Sequence, residues 1–528
     1  MNALRQYQQD AIAEFYSWIR ENQGDPCLVL PTGAGKSWVI AEVCRDAISR
    51  WPATRVLMLT HQKELIAQDY EKLLMVWPDA PAGIYSASLK RREMGKQVLF
   101  AGVQSVRNRA QEIGFRNLII VDECHLISHK EAGVYRTLID ELRVINPRLR
   151  VLGLTATPWR LGHGCIADGD ALFDGLIEPV SILELIKDGY LSPLRSKATK
   201  VGFDLSGVHK RGGEFIEHEL ANAVDTEENN RNAVLEALEY AGDRKSWLFF
   251  CSGVEHAKNV REMLTRYGVT AGCVTGDTPQ EERDQMLLDF KAGKIRAMTN
   301  VNVLTTGFDH PGIDLIAMMR PTMSPTLYMQ MAGRGLRVSA GKADCLVLDF
   351  AGNVSRHGPI TDVVPPAKKG EGTGEAPIKV CEGCGEICSI AARECPCCGL
   401  PFPIKEKPKL VLDTEIDIMG VQPIEKEVRT WIWRVHTSRA TGKDLLKVTY
   451  YSGLSQLPLT EYFSIMHDGY AGQRSRRELV KVAQASGVSV LGHESLIQLV
   501  GILNQGKAPE VIEYKKNGKY DQVIRRVW

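Results

Sequence analysis

Three short segments carry side chains whose types and spacing suit phosphate chemistry. Pro31-Thr-Gly-Ala-Gly-Lys-Ser37 follows the apolar run CLVL (27–30) and opens a stretch of helical periodicity. A glycine turn between a strand and a helix presents backbone N–H groups and a helix N-terminus to anionic oxygens. Thr32, Gly33, Ala34 and Gly35 would form that cradle. Lys36 would reach the β- and γ-phosphates of ATP, and Ser37 would ligate Mg2+. Leu30 stands where the full form of this loop has glycine. Val121-Asp-Glu-Cys-His125 closes the run LIIVD. Asp122 is placed to hold the same Mg2+, and Glu123 to orient and deprotonate an attacking water. Gln330-Met-Ala-Gly-Arg-Gly-Leu-Arg337 supplies two guanidinium groups, Arg334 and Arg337. Three positions apart, they are expected on one helical face. A guanidinium delivered across a cleft stabilises charge growing on a γ-phosphate.

A fourth segment suits metal binding. Six of the 13 cysteines crowd between Cys381 and Cys398. Cys381-x2-Cys384 and Cys395-x2-Cys398 are each followed by glycine, Gly385 and Gly399. Two such knuckles predict a closed tetrahedral Zn2+ site with four thiolate ligands, structural rather than catalytic. Cys388 and Cys397 are surplus, and an assignment through Cys397 breaks the x2 spacing. The other seven cysteines are scattered, which fits a reducing, cytoplasmic compartment better than a disulfide framework.

These groups need a scaffold that brings distant segments together. From about residue 25 to 350, short runs such as VLMLT (56–60), LIIVD (118–122), VLGLT (151–155), WLFFC (247–251), MTNVNV (298–303), DLIAMM (314–319) and CLVLD (345–349) alternate with amphipathic stretches. Runs apolar on both faces and separated by helices predict an α/β fold of two parallel sheets covered by helices. The organisation reads as a first domain over 1–175, a connecting segment over 176–225 with a helix at 182–189, and a second domain over 226–355. A Pro/Gly/Lys linker over 356–380, the cysteine module over 381–400 and a C-terminal α+β domain over 411–528 follow. At 528 residues, three or four domains are expected.

Composition sets the remaining bounds. Hydrophobic residues make up 44% and charged residues 24%, which excludes a disordered chain, a collagen and a small disulfide scaffold. No apolar run approaches the ~20 residues of a membrane span, and the first 20 residues lack the apolar stretch of a secretory signal. Lys+Arg is 65 against 64 Asp+Glu, a net +1. Any nucleic-acid site is therefore a local patch, not bulk charge. The tail has clustered cations (Arg474, Arg476, Arg477, Lys481, and Lys515, Lys516, Lys519) and aromatics (Trp431, Trp433, Tyr450, Tyr451, Tyr462, Phe463). Such groups can bind single strands, although aromatics in strands more often belong to a core.

In order along the chain, these segments resemble the motifs of superfamily 2 helicases and translocases, over about residues 1–350. Leu4-Arg-Gln-Tyr-Gln8 resembles the adenine-reading Q motif, with Arg5 and Gln8 at the base. Thr60-His-Gln-Lys-Glu-Leu65 and Gly102-Val-Gln-Ser105 resemble motifs Ia and Ic, which implies nucleic-acid contacts from His61, Lys63, Glu64, Gln104 and Ser105. Leu154-Thr-Ala-Thr-Pro158 resembles motif III, and Phe249-Phe-Cys-Ser252 with His256 resembles motif IV. Thr275-Gly276 resembles the turn that holds a backbone phosphate. Asn300 to Asp309 resembles motif V, with Thr305 on nucleic acid and Gly307 and Asp309 toward the nucleotide. DECH in place of DEAD, Gln330 at the start of motif VI, TTGFDHP and GRGLR resemble the DNA-directed branch, closest to the RadD-like, XPB-related DNA-repair ATPases of bacteria or phages. The resemblance implies two tandem RecA-like domains closing on Mg-ATP and a DNA helicase or translocase. Its partners would be single-stranded or branched DNA and a single-strand-binding or repair protein. An RNA-dependent ATPase and an ATP-switched recruitment factor that does not unwind remain alternatives.

Overall fold

The computed structural model describes residues 4–127, 133–160, 164–168, 171–197, 199–211, 213–363, 378–380, 387–389, 423–438, 442–452, 457–467, 469–490, 495–517 and 520–528. The chain divides into two compact units, one containing Met1–Val380 and the other dominated by Val421–Trp528.

Runs with no polar face must be covered on both sides, and the strands they form are buried almost residue by residue. The first sheet comprises β1 (Pro26–Val29), β2 (Val56–Thr60), β3 (Ala82–Ser86), β4 (Arg91–Arg92), β5 (Val98–Gly102), β6 (Leu118–Asp122), β7 (Arg150–Thr155) and β8 (Gly175–Ile177). Their order is β8-β1-β7-β6-β2-β5-β3-β4. Every pairing is parallel except that of the two-residue edge strand β4. Helices α1 (Gln6–Glu21), α2 (Lys36–Arg50), α3 (Lys63–Val76) and α4 (Val134–Ile145) accompany it. β1 and β6 stand either side of β7. Their carboxyl ends, carrying PTGAGKS and DECH, are therefore neighbours, at the edge where open parallel sheets bind ligands. The three strands meet closely. Gly153 of β7 pairs with Cys27 of β1 and Val121 of β6. A Cβ on it would fall 2.8 Å from Cys124 Sγ and 2.5 Å from the Phe173 ring. Its bareness lets the Cys27 and Cys124 thiols touch, at 3.3 Å.

The second sheet comprises β9 (Leu194–Lys197), β10 (Trp247–Cys251), β11 (Ala271–Val274), β12 (Ala297–Asn300), β13 (Leu315–Met319) and β14 (Cys345–Asp349). The order is β9-β14-β13-β10-β12-β11, all parallel. Helices α5 (Glu227–Ala241), α6 (Val254–Arg266), α7 (Gln280–Lys291) and α8 (Pro325–Gly333) connect its strands.

Two expectations are corrected here. The segment 176–225 is built into both sheets: β8 edges the first and β9 the second. Between them a helix runs Ile182–Lys187, two residues shorter than expected, started by a capping box in which Glu184 N donates to Ser181 Oγ and Ser181 N to Glu184 Oε2. Ile182, Leu185, Leu191 and Leu194 join one apolar core with residues of both domains. The run MTNVNV stops as a strand at Asn300, because the Asn300 side chain leaves the ladder geometry to bond Phe249 O (2.9 Å) and Leu304 N (3.3 Å). Asn302 then takes a left-handed φ of 57°.

In the second unit, Thr430–Thr437, Asp444–Tyr451 and Leu459–Phe463 form one antiparallel sheet, and Ile424–Glu427, Val511–Asn517 and Tyr520–Val527 another. Trp431, Trp433, Tyr450 and Phe463 are core residues, so they are not a stacking surface. Arg526 is buried with them, forked between Glu461 (2.7 Å) and Glu478 (2.6 Å). The four cysteines expected to ligate zinc lie outside the described residues.

Candidate active site: a nucleotide cleft between two parallel sheets

The loop after β1 takes the shape its glycines permit. Gly33 and Gly35 adopt left-handed φ of 87° and 81°, which turns successive N–H groups toward one point. Gly35 caps α2, so Lys36 and Ser37 sit in the helix's first turn, where the backbone favours an anion. Gln8 braces the loop from behind. Its Nε2 donates to Ala34 O (3.0 Å) and its Oε1 accepts from Arg5 N (3.0 Å), so both ends of its amide are engaged with backbone. Tyr7 donates to the same Ala34 oxygen at 2.8 Å. The Arg5 guanidinium lies 4.5 Å over the Tyr190 ring.

Asp122 ends β6, and Glu123 turns the chain through a left-handed φ of 51°. That turn points the Glu123 carboxylate back over the phosphate loop. Oε1 lies 3.6 Å from Lys36 Nζ and Oε2 lies 3.3 Å from His125 Nδ1. His125 in turn bonds Thr155 Oγ1 of motif III (2.9 Å), which also binds the Thr157 N–H (3.0 Å). Burial alone would raise the Glu123 carboxyl, but Lys36 and then His125 outweigh it and hold it below the usual carboxylate range. Asp122 goes the other way: burial, then Asp69 and Glu123, push it well up. Its Oδ1 is buried without a hydrogen-bond partner. Two adjacent carboxylates are thus set apart by environment, Glu123 ionised and Asp122 short of positive charge. An orphaned buried carboxylate oxygen close to Asp69, which itself neighbours the Ser37 hydroxyl, fits Mg2+. Among the described residues no three of His, Cys, Asp and Glu form a ready metal cage. Mg2+ held mainly by substrate phosphates and water needs none.

The second domain closes the cleft. Thr32 lies only 2.4 Å from where a Cβ on Gly333 would be, so the end of α8 rests on the phosphate loop. α8 stops at Gly333. Arg334 and Arg337 are therefore not on one helical face, as expected from spacing, but in the turn after it. Arg334 is buried, donates to Phe308 O and faces Glu123; its pKa is pushed down to about 10 by burial. Arg337 pairs with Asp309 and passes over Gly33, with its side chain about a quarter exposed. Gln330 lines a cleft of about 350 Å³ with Glu123, His125, His61, Thr305 and Thr306. That is room for water beside the Glu123 carboxylate.

The expected nucleic-acid residues divide into two groups. His61 lines this cleft at its open side, where partial desolvation lowers its imidazole against the opposing pull of Glu123. Lys63 Nζ donates to Gln280 Oε1 of α7 (2.9 Å). Glu64 lies 3.0 Å from a Cβ on Gly307, beside Gln62, which donates to Thr306 Oγ1 (2.6 Å), and Gln68, which donates to Gly307 O. Thr305 is buried and donates to Asn302 O (2.9 Å). Motif Ia therefore docks on motif V, between the domains. Gln104 is exposed and Ser105 Oγ accepts from Ala87 N (3.0 Å). Thr275 is held in a turn whose carbonyls, with that of Gly276, receive Arg283. Sequence reasoning missed Asp69 and Gln62. Asp69 looks like an ordinary helix polar residue, and only its burial in α3 singles it out.

Comparison with known proteins decides the family. Residues 2–160 match the model of the type III restriction enzyme res subunit, and residues 229–339 match the helicase conserved C-terminal domain. The chain carries a superfamily 2 helicase core. The putative ATP-dependent helicase IRC3 of Saccharomyces cerevisiae is 30% identical over 360 residues, covering 66% of this chain and 51% of that protein. The DNA 3'-5' translocase XPB2 of Sulfurisphaera tokodaii is 24% identical over 371 residues, 63% of this chain and 78% of its own. The chain thus spans about half the length of the yeast relative. In fold, unit 1 is like a putative HsdR subunit of a type I restriction enzyme from Vibrio vulnificus, at 21% identity and a TM-score of 0.52, over 69% of this chain and 68% of that one. Within this superfamily 2 core, ATP hydrolysis is the chemistry that the Lys36, Asp122, Glu123, Arg334 and Arg337 arrangement can perform.

Proposed function

We propose that this protein is a DNA-stimulated ATPase, a helicase or translocase that works on DNA during repair, recombination or replication. The observation that carries the reading is the meeting of the two sheets' motifs: Glu123, paired with Lys36, shares a cleft with Gln330 and faces Arg334, while Arg337 passes over Gly33 of the phosphate loop. Hydrolysis then requires closure and product release favours opening, so the two domains alternate. Ser37 and Asp122 would hold Mg2+, which would neutralise phosphate charge when bound. Glu123 takes the proton of the attacking water, and Arg337 and Arg334 stabilise the transferring phosphoryl group. Gln104, Ser105, Thr275 and Gly276 contact the DNA backbone, which carries little sequence information. Lys63, Glu64 and Thr305 couple the domains.

Several features support DNA over RNA: Gln330 in motif VI, the TTGFD form of motif V, the restriction-enzyme family model and the XPB2 relative. They also favour a RadD-like, XPB-related role, with branched or single-stranded DNA and a strand-binding or repair protein as partners. The seven described cysteines are free thiols, in keeping with a reducing cytoplasm. At fixed salt, because phosphate contacts are salt-sensitive, single-stranded or forked DNA should raise the ATPase rate at least about tenfold and RNA should not. Stimulation by RNA alone would replace this reading with an RNA-dependent one, and stimulation by neither would favour the recruitment factor.

The same reading places a structural zinc at Cys381, Cys384, Cys395 and Cys398. Metal analysis of protein purified without chelator should give about one Zn2+ per chain; its absence would remove the site.

A further inference from the structure

One charged group in the cleft has no part in the motifs. Asp69 lies on α3, is fully buried, and neither carboxylate oxygen is paired in a well-formed hydrogen bond. The favourable groups beside it are the Ser37 hydroxyl and the Lys36 ammonium, and Glu123 stands against it. Asp122 is also its neighbour, with Oδ1 equally unpaired. Three carboxylates thus gather around Lys36 in a largely buried space, with Arg334 facing only Glu123. A buried polar group without a partner is costly, and a buried charge more so. With the Ser37 hydroxyl and the Lys36 ammonium as its only favourable neighbours, against two other carboxylates, Asp69 stays short of positive charge until a cation arrives.

We propose that Asp69 is the outer carboxylate of the Mg2+ site, accepting hydrogen bonds from the Ser37 hydroxyl and from a metal-bound water so that both are oriented before ATP closes the cleft. Groups in this outer position fix the direction of the ligands they bond. Asp69 is thus a positioning residue. It reaches the reacting phosphate only through Ser37 and the metal. The inference rests on the ATPase reading and extends it to a residue outside every motif.

The test is Asp69→Asn, which keeps shape and removes charge. Mn2+ binding to the full-length protein with ADP, read by electron paramagnetic resonance of the free ion, should weaken about 10–100-fold. ADP affinity without metal should stay at the wild-type level. In EDTA the variant should melt at or above the wild-type temperature, since removing the charge relieves its burial and its repulsion by Asp122 and Glu123. A purely structural aspartate predicts the opposite sign. Unchanged Mn2+ affinity, a lower melting temperature in EDTA, or failure to fold would each overturn the proposal. The parallel variant Asp122→Asn separates the two levels. If it loses Mn2+ while Asp69→Asn keeps it, only the Asp69 role falls. If wild type binds no ADP with Mn2+, the ATPase reading falls with it.

Discussion

Replacing Glu123 with glutamine is expected to leave ATP binding intact and to lower turnover by about 10²–10⁴-fold, the usual worth of a positioned general base. Glu123 is the one carboxylate in the cleft held well into its ionised form, by Lys36 and His125. Glutamine keeps the shape of the side chain and its reach toward the cleft but cannot take a proton. It also releases Lys36 from its 3.6 Å ion pair, so nucleotide affinity should be equal to wild type or slightly tighter. Equilibrium binding of a fluorescent ATP analogue and steady-state phosphate release separate the two effects. Turnover near the wild-type rate would remove Glu123 from the chemistry.

Arg337→Ala should slow hydrolysis by about 10³-fold or more, the range seen for arginine fingers, while the protein stays folded. The side chain is a quarter exposed, and its ionic partner, Asp309, is itself well exposed. Deleting the guanidinium therefore strands no buried charge. Arg334→Ala is a poorer test. That side chain is buried and anchors the Phe308 carbonyl, so its loss would lower stability and activity together. Single-turnover hydrolysis alongside thermal melting distinguishes them: Arg337→Ala should lose rate without losing melting temperature. An unchanged rate would end the finger assignment.

The parts of this molecule that were legible in its sequence are those where local chemistry dictates position. Strands β2, β6, β10 and β14 are unbroken apolar runs, and PTGAGKS and DECH fall at strand ends because a parallel sheet leaves its carboxyl edge for ligands. β3, β8 and β11 were harder to see. They are short and carry glycine at positions 83, 175 and 272, which dilutes the apolar signal that burial between neighbours restores. The turn placing Arg334 and Arg337 was misjudged because i, i+3 spacing assumes that a helix continues, and α8 stops one residue before Arg334. Motif Ia was read as part of a DNA track. The pairing of Gln62 with Thr306 joins residues 244 positions apart, a contact that only the closed fold creates. Asp69 stayed invisible for a similar reason: its meaning lies in what surrounds it.

The contact of Cys27, Gly153 and Cys124 bears on how this cleft can vary. Three adjacent strands share one volume there, filled by two thiols and the edge of Phe173. Neither cysteine is then free to change alone. A larger residue at 124 must be answered by a smaller one at 27, and nothing but glycine serves at 153. The third letter of DECH thus records a steric agreement among neighbouring strands, while the chemistry of the motif rests on the carboxylates and the imidazole around it. In descendants of this sequence positions 27 and 124 should drift as a pair around a fixed Gly153, with their summed bulk held constant.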